Sequence, residues 1–339
     1  MTDLPAAVTE AADFYDAHYA GAEPVFLEPG VKVILGAPDH PRHCRFCDRE
    51  EPAVTFKDEA HALPAAFGNT GLFSNYECDT CNHLFGEGIE NHLGNWTKPM
   101  RTLSRIRGRS GVPTIKKPGP NKGWRVESDG SGFQLSEYED EPFFEVDESE
   151  RRLKFELHRD TYVPVAALKG LVKIGLTLIP DVEVPNFRGT YGWIRDKDHT
   201  RNFVAEFPVF RTIIPGPVRN DLIVLMLMLM RRRAGTDNVP YAFFTMAYGN
   251  EVLQVFLPSI DKDRCINGST FSMPAFPNPG SLDAARYGSP RTKVENLTGR
   301  QPIKGEKVPA VFRFDAVFAT DLRAESDDAE EDVSEGNMP

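Results

Sequence analysis

The chain has 339 residues, enough for two domains, and a net charge of −11 that taken alone argues against a polyanionic partner. That charge is unevenly spread: eight acids and one base in Asp321–Pro339, and eight acids with no base in Glu137–Glu150, exceed the whole deficit and leave the rest net positive. Local charge decides phosphate attraction, because salt screens anything beyond about 8–10 Å.

In chain order, Met1-Thr2-Asp3-Leu4-Pro5 lacks the basic and apolar blocks of a signal peptide. Ala6–Tyr19 is expected as a short helix with Val8, Ala12 and Tyr15 on one face, and Pro24–Leu35 as holding a short strand. Residues 39–96 concentrate cysteine and histidine. Residues 97–125 read as basic loop with one helical turn, and Gly123–Leu157 as strands broken by the turn cluster Ser128-Asp129-Gly130-Ser131-Gly132. Helical spacing of Val165, Leu168, Leu171, Val172 and Ile174 predicts a helix over Thr161–Ile179, stopped by Pro180. Strands are expected over Phe203–Ile214, Leu222–Arg231, Tyr241–Tyr248 and Val252–Leu257, with a hairpin turn at Tyr248-Gly249-Asn250-Glu251. The apolar run Leu222–Met230 also suits a buried helix, and it is far shorter than the roughly 20 residues of a membrane span. Residues 259–310 read as irregular, Val311–Phe318 as a last strand, and the tail from Asp321 as disordered.

Two pairs of cysteines carry the strongest signal. Cys44-Arg-Phe-Cys47 and Cys78-Asp-Thr-Cys81 each offer two sulfurs from one tight turn, the spacing of a four-thiolate zinc site. Iron also suits four thiolates, but the insert of about thirty residues that carries His61 favours zinc. Four paired cysteines with Cys265 left over point to a reducing, cytoplasmic setting rather than to disulfides. Between the pairs, Glu59-Ala60-His61-Ala62-Leu63-Pro64 places a histidine on a strand ending at a proline. A neutral imidazole there can take a proton from water. After the second pair, Asp79 is expected to cap a helix from Cys81 to about Leu93. On it Asn82, Gly86 and Glu90 share one face, beside an apolar stripe of Phe85, Ile89 and Leu93. Glu90 then lies near the hairpin, where a carboxylate can bind a hard cation.

Cys44-x-x-Cys47, Glu59–Pro64, and Cys78-x-x-Cys81-Asn82 with Phe85-Gly86 and Ile89-Glu90 together resemble an HNH endonuclease of the type stapled by a four-cysteine zinc. The resemblance covers about 55 residues. It implies a zinc-stapled ββα-metal (HNH) module; with the strands and helix read after it, the expected fold is α+β, the module followed by a larger mixed α+β, strand-rich C-terminal domain. The resemblance implies His61 as general base and Asn82 as the amide that pins the loop carrying it. It implies Glu90 as ligand for Mg²⁺ or Mn²⁺, with zinc on the cysteines structural. The position before the base, often a metal-binding acid or histidine in such enzymes, is Ala60 here. The acid is Glu59, which shares the face of His61 on a regular strand. Asn91, His92 and His83 are fallback ligands.

Lys98–Arg125 holds nine basic residues and no acid, so Arg101, Arg105, Arg107, Arg109, Lys116 and Lys117 are the expected contacts to nucleic acid, DNA first. Expected organisation is an extension over 1–38, the nuclease module with its basic trailing segment over 39–112, an α+β domain over 113–320, and an acidic tail over 321–339. Trp193, Arg195, Arg201, Arg211 and Arg231-Arg232-Arg233 read as surface. No membrane partner is expected, and an oligomer is left open. Two readings follow: an endonuclease, and a zinc-stapled nucleic-acid-binding module without hydrolysis.

Overall fold

A computed structural model describes residues 6–22, 24–28, 30–37, 40–116, 124–128, 132–137, 143–201, 207–217, 226–266, 270–277 and 284–318. Lys117, most of the 128–132 turn cluster and the acidic tail lie outside the described residues.

Helix α1 (Ala6–His18) leads into β1 (Tyr19–Gly21), β2 (Val25–Phe26) and β3 (Val33–Leu35). The module follows as β4 (Ala60–His61), β5 (Leu72–Ser74), α2 (Asp79–Glu87) and α3 (Ile89–Leu103). Then come β6 (Ile115–Lys116), β7 (Arg125–Ser128), β8 (Phe133–Ser136), β9 (Phe144–Asp147), β10 (Arg152–His158), α4 (Pro164–Leu178) and α5 (Arg188–Ile194). The last strands are β11 (Val209–Ile213), β12 (Met226–Arg232), β13 (Ala242–Tyr248), β14 (Glu251–Phe256), β15 (Arg291–Glu295) and β16 (Lys307–Arg313). The chain is α+β, as expected.

The largest sheet runs β1-β12-β13-β14-β11-β15, with β2 also on β12, and its pairs are antiparallel. Residues 222–225 of the run Leu222–Met230 lie outside the described residues; its described part, Met226–Met230, lies in a strand, β12, rather than in a helix. Its partners β13 and β14 form the expected hairpin, turning at Gly249 with φ +52. Two smaller antiparallel sheets, β16-β10-β9 and β6-β7-β8, lie outside it. The segment expected as an N-terminal extension is woven in: β1 and β2 pair with β12, and β3 runs parallel to β5 in the module.

Helix α4 organises the interior. Fourteen of its fifteen residues are buried, with α3 against one side and the large sheet against the other. Two glycines allow these close approaches. A Cβ on Gly170 would lie 2.9 Å from the Ile89 carbonyl oxygen of α3, and one on Gly175 would lie 2.5 Å from Leu257. One apolar core joins Phe46, Leu63, Phe67, Phe85, Leu93 and Trp96 of the module to Leu171 and Val172 of α4 and to Phe244 and Leu253 of the sheet.

Three sequence expectations fail here for identifiable reasons. The helix after the second cysteine pair is two helices, because Gly88 breaks it with φ −102 and ψ −102. The second continues through Pro99 to Leu103, so the start of the basic segment is helix, not loop. Arg211 and Trp193 are buried rather than superficial. Arg211 is clamped by Glu251 and by Glu295 at 3.4 Å, and the ring of Trp193 lies 5.3 Å from the Lys169 ammonium.

Candidate active site

The four cysteine sulfurs lie within 4.8 Å of one another and form a cluster able to hold a metal such as zinc. Cys44 sits in a tight turn: its amide donates to the Arg49 carbonyl at 2.8 Å, its carbonyl accepts the Asp48 amide at 2.9 Å, and the Cys78 amide points at its sulfur at 3.4 Å. Crowding splits the acidities. A hydrogen bond from Cys81 helps to drive the Cys44 thiol down to about 4, whereas burial pushes Cys78 up to about 12. Four sulfurs this close, each able to serve as a thiolate ligand, form a donor set that fits a soft divalent ion.

Outside this cluster the ββα arrangement holds. β4 pairs antiparallel with β5, placing His61 opposite Phe73, with ring centroids 4.7 Å apart. Phe85 of α2, 1% exposed, packs edge-on against Phe46 of the first cysteine turn. The Asp79 carboxylate does not cap α2. It accepts the Lys57 and Asp58 amides at 3.1 and 3.0 Å and the Thr55 hydroxyl at 2.5 Å, fastening the 55–58 segment to the helix.

The amide that pins the loop after His61 belongs to Asn69, not to Asn82. Asn69 is 1% exposed. Its Nδ2 donates to the carbonyls of Leu63 and Leu72 at 2.7 and 2.8 Å, and its Oδ1 accepts the amides of Gly71 and Leu72 at 3.1 and 2.7 Å. Asn82 is half-buried at the start of α2, and its side chain makes no hydrogen bond among the described residues. The signal for Asn69 in the sequence is its setting, Gly68-Asn69-Thr70-Gly71, eight residues past the histidine. Its Nδ2 also lies 3.4 Å from His61 Nδ1, with both of its hydrogens directed to carbonyls. Burial, then the charge of Arg109, lower the His61 pKa, with Glu90 acting against them, so the ring is neutral at pH 7.

Glu90 is placed beside this site but is shared. Its Oε1 is 2.9 Å from the Nζ of Lys173, a lysine of α4 that is 1% exposed. The same Nζ meets Glu77, wholly buried, at 2.8 Å and the His61 carbonyl oxygen at 3.3 Å. Burial opposes the charge on Lys173, but the two carboxylates outweigh it and raise its pKa; burial pushes the Glu77 carboxyl up to about 7. Glu59 lies at the surface in an ion pair with Lys32, whose ammonium is over the Phe73 ring, and its charge reaches His61. Each of the two carboxylates, Glu59 and Glu90, faces a lysine, and among the described residues only the four cysteines bring three or more donor side chains within ligand distance of one another. Of the fallback ligands, His83 is exposed and 3.5 Å from Asp58, Asn91 is exposed, and His92 turns to a separate cavity.

The expected phosphate contacts divide. Arg101 is buried, and its guanidinium donates to the carbonyls of Ala66 and Gly94 at 3.2 and 2.8 Å and to Thr97, so it holds α3 to the loop after His61 instead of facing solvent. Arg105 is half-buried with φ +53. Arg107 and Arg109 are exposed on a turn closed by paired hydrogen bonds between Gly108 and Gly111, and this turn lies against Ala66. Lys116 is exposed. Among the described residues no helix is long and apolar enough to cross a membrane.

Residues 44–97 match the family model described as HNH endonuclease. That span holds the four cysteines, His61, Asn69, Asn82 and Glu90. No curated protein and no solved structure matches the chain.

Proposed function

We propose that this chain, a member of the HNH endonuclease family through residues 44–97, hydrolyses phosphodiester bonds in DNA with His61 as general base. The observation that carries the reading is the place of His61 within the matched segment: on β4 opposite Phe73, beside a loop that Asn69 locks, with burial and the charge of Arg109 both favouring its neutral form. A neutral imidazole takes the proton of an attacking water. Arg109 and Arg107, exposed on the neighbouring turn, and Lys116 supply charge to the phosphates; Arg105 and Lys117 extend the same basic stretch. Contacts of this kind bind backbone without reading sequence. Zinc on Cys44, Cys47, Cys78 and Cys81 is structural in this reading. Glu90, with Glu59, would hold Mg²⁺ or Mn²⁺, which would supply Lewis-acid stabilisation of the charge on phosphorus.

A second reading, a zinc-stapled nucleic-acid-binding module without hydrolysis, is favoured by one pair of observations: Ala60 stands where an acid is common, and Glu90 is partnered by Lys173. Supercoiled plasmid incubated with the protein and Mg²⁺ or Mn²⁺, beside His61→Ala and an EDTA control, separates the two. Metal-dependent nicking lost in His61→Ala is expected. Salt-dependent DNA binding with no nicking by the wild type would hand the case to the second reading.

A further inference from the structure

A cavity of about 260 Å³ lies where the break between α2 and α3 faces the turn after α5. Its wall carries His92 from α3 and Arg195, Lys197 and His199 from that turn. Neither imidazole is free to choose its tautomer. The Nδ1 of His92 accepts the Val163 amide at 3.3 Å. The Nδ1 of His199 is 3.0 Å from the Nζ of Lys169, an ammonium with protons to give and no lone pair. Each ring therefore carries its hydrogen on Nε2, and neither Nε2–H has an acceptor among the described residues. Arg195 adds an Nε–H that is buried and has no acceptor among the described residues. Behind the wall, Lys169 is itself fully buried, tied to the Asp196 carbonyl at 2.7 Å. His199 holds φ +53, a left-handed conformation that persists only where its surroundings fix it. Two acids also line the cavity: the Asp196 carboxylate accepts the Arg201 amide at 3.0 Å, and Glu87 is exposed at the end of α2.

We propose that this cavity binds a phosphate group. Three spare N–H donors backed by a buried ammonium select a ligand whose atoms only accept, which phosphate oxygens do. Lys169 precedes Lys173 by one turn of α4, about 6 Å of helix, and Lys173 touches Glu90 and the His61 carbonyl. The phosphate has two sources, a strand running past His61 or a free nucleotide, and the same donors serve both.

Calorimetric titration of the full chain at low salt with inorganic phosphate, thymidine 5′-monophosphate and thymidine tests this without requiring cleavage, so it stands or falls apart from the nuclease reading. Saturable binding of phosphate and the monophosphate, none of thymidine, and at least tenfold weaker binding in Arg195→Gln and in His199→Asn are expected. Lys197→Gln, at an exposed position, gives a smaller weakening and guards against loss through misfolding. A short single-stranded oligonucleotide that displaces the monophosphate identifies a strand phosphate; one that leaves it bound identifies a free nucleotide. Absence of saturable phosphate binding, or binding unchanged in all three variants while they melt as the wild type does, overturns the proposal.

Discussion

The imidazole of His61 sits half-buried against Phe73, and the charges around it do not balance. Burial and the nearby Arg109 and Lys173 disfavour its protonation more than Glu90 and Glu59 favour it. Its folded pKa is therefore below the ordinary 6.5 or so. The stability linked to this shift is present above the unfolded value and lost as pH falls through the folded one. Activity follows the same sign, since only the neutral ring accepts a proton. Cleavage rates measured between about pH 5 and about pH 8 should show an acid limb with its midpoint below 6.5. In Arg109→Ala that midpoint should move up toward 6.5, because the second largest influence on the ring is gone. A loss of phosphate contact alone would lower the rate at every pH and leave the midpoint in place. A wild-type midpoint at or above 6.5 would remove His61 from the role of base.

Helix α4 shows why some of this site could be read in the sequence and some could not. The cysteine pairs, the histidine between them and the carboxylate on the following helix are local spacings, and the fold keeps them together. The period of Val165, Leu168, Leu171 and Val172 marks α4 itself. Lys169 and Lys173, one turn apart, read as the solvent face of such a helix, yet both are buried. Their partners come from elsewhere: Glu77 and Glu90 from the module, Asp196 and His199 from the turn after α5. Asn69 is missed for a related reason: Gly68-Asn69-Thr70-Gly71 marks a turn, but not the carbonyls that only the closed loop brings to its amide. The buried trio predicts its own energetics. Removing one partner of a buried ion pair leaves a charge without compensation, at a cost of about 3–5 kcal/mol, whereas removing both partners costs much less. Lys173→Met should therefore lower unfolding free energy in urea by about 3–5 kcal/mol, and Glu77→Gln added to it should restore roughly half or more. Additive losses in the double variant would mean that Lys173 acts through packing between the Phe46 and Phe85 rings, 5.9 and 5.7 Å from its ammonium, and not through charge.

The position of α4 also bears on whether the nuclease module is a unit by itself. Residues 39–112 look separable by composition, yet the apolar side of α3 is covered by α4, and the core runs unbroken from Phe46 and Leu63 to Phe244 and Leu253. Arg45, inside the first cysteine turn, donates to the carbonyls of Leu176, Thr177 and Ile179 at 3.2, 3.2 and 2.9 Å and so closes the C-terminal end of α4. A fragment ending at residue 112 would expose Ile89, Leu93 and Trp96 and leave Glu77 without its lysine. Zinc can fix the cysteine turns, but it cannot cover that face. A fragment of residues 1–112 supplied with zinc is therefore expected to melt without a cooperative transition by circular dichroism, while the full chain unfolds cooperatively and at lower temperature after chelation. A sharp, zinc-dependent transition in the fragment would show that the module folds alone, and that α4 tunes a site that it does not build.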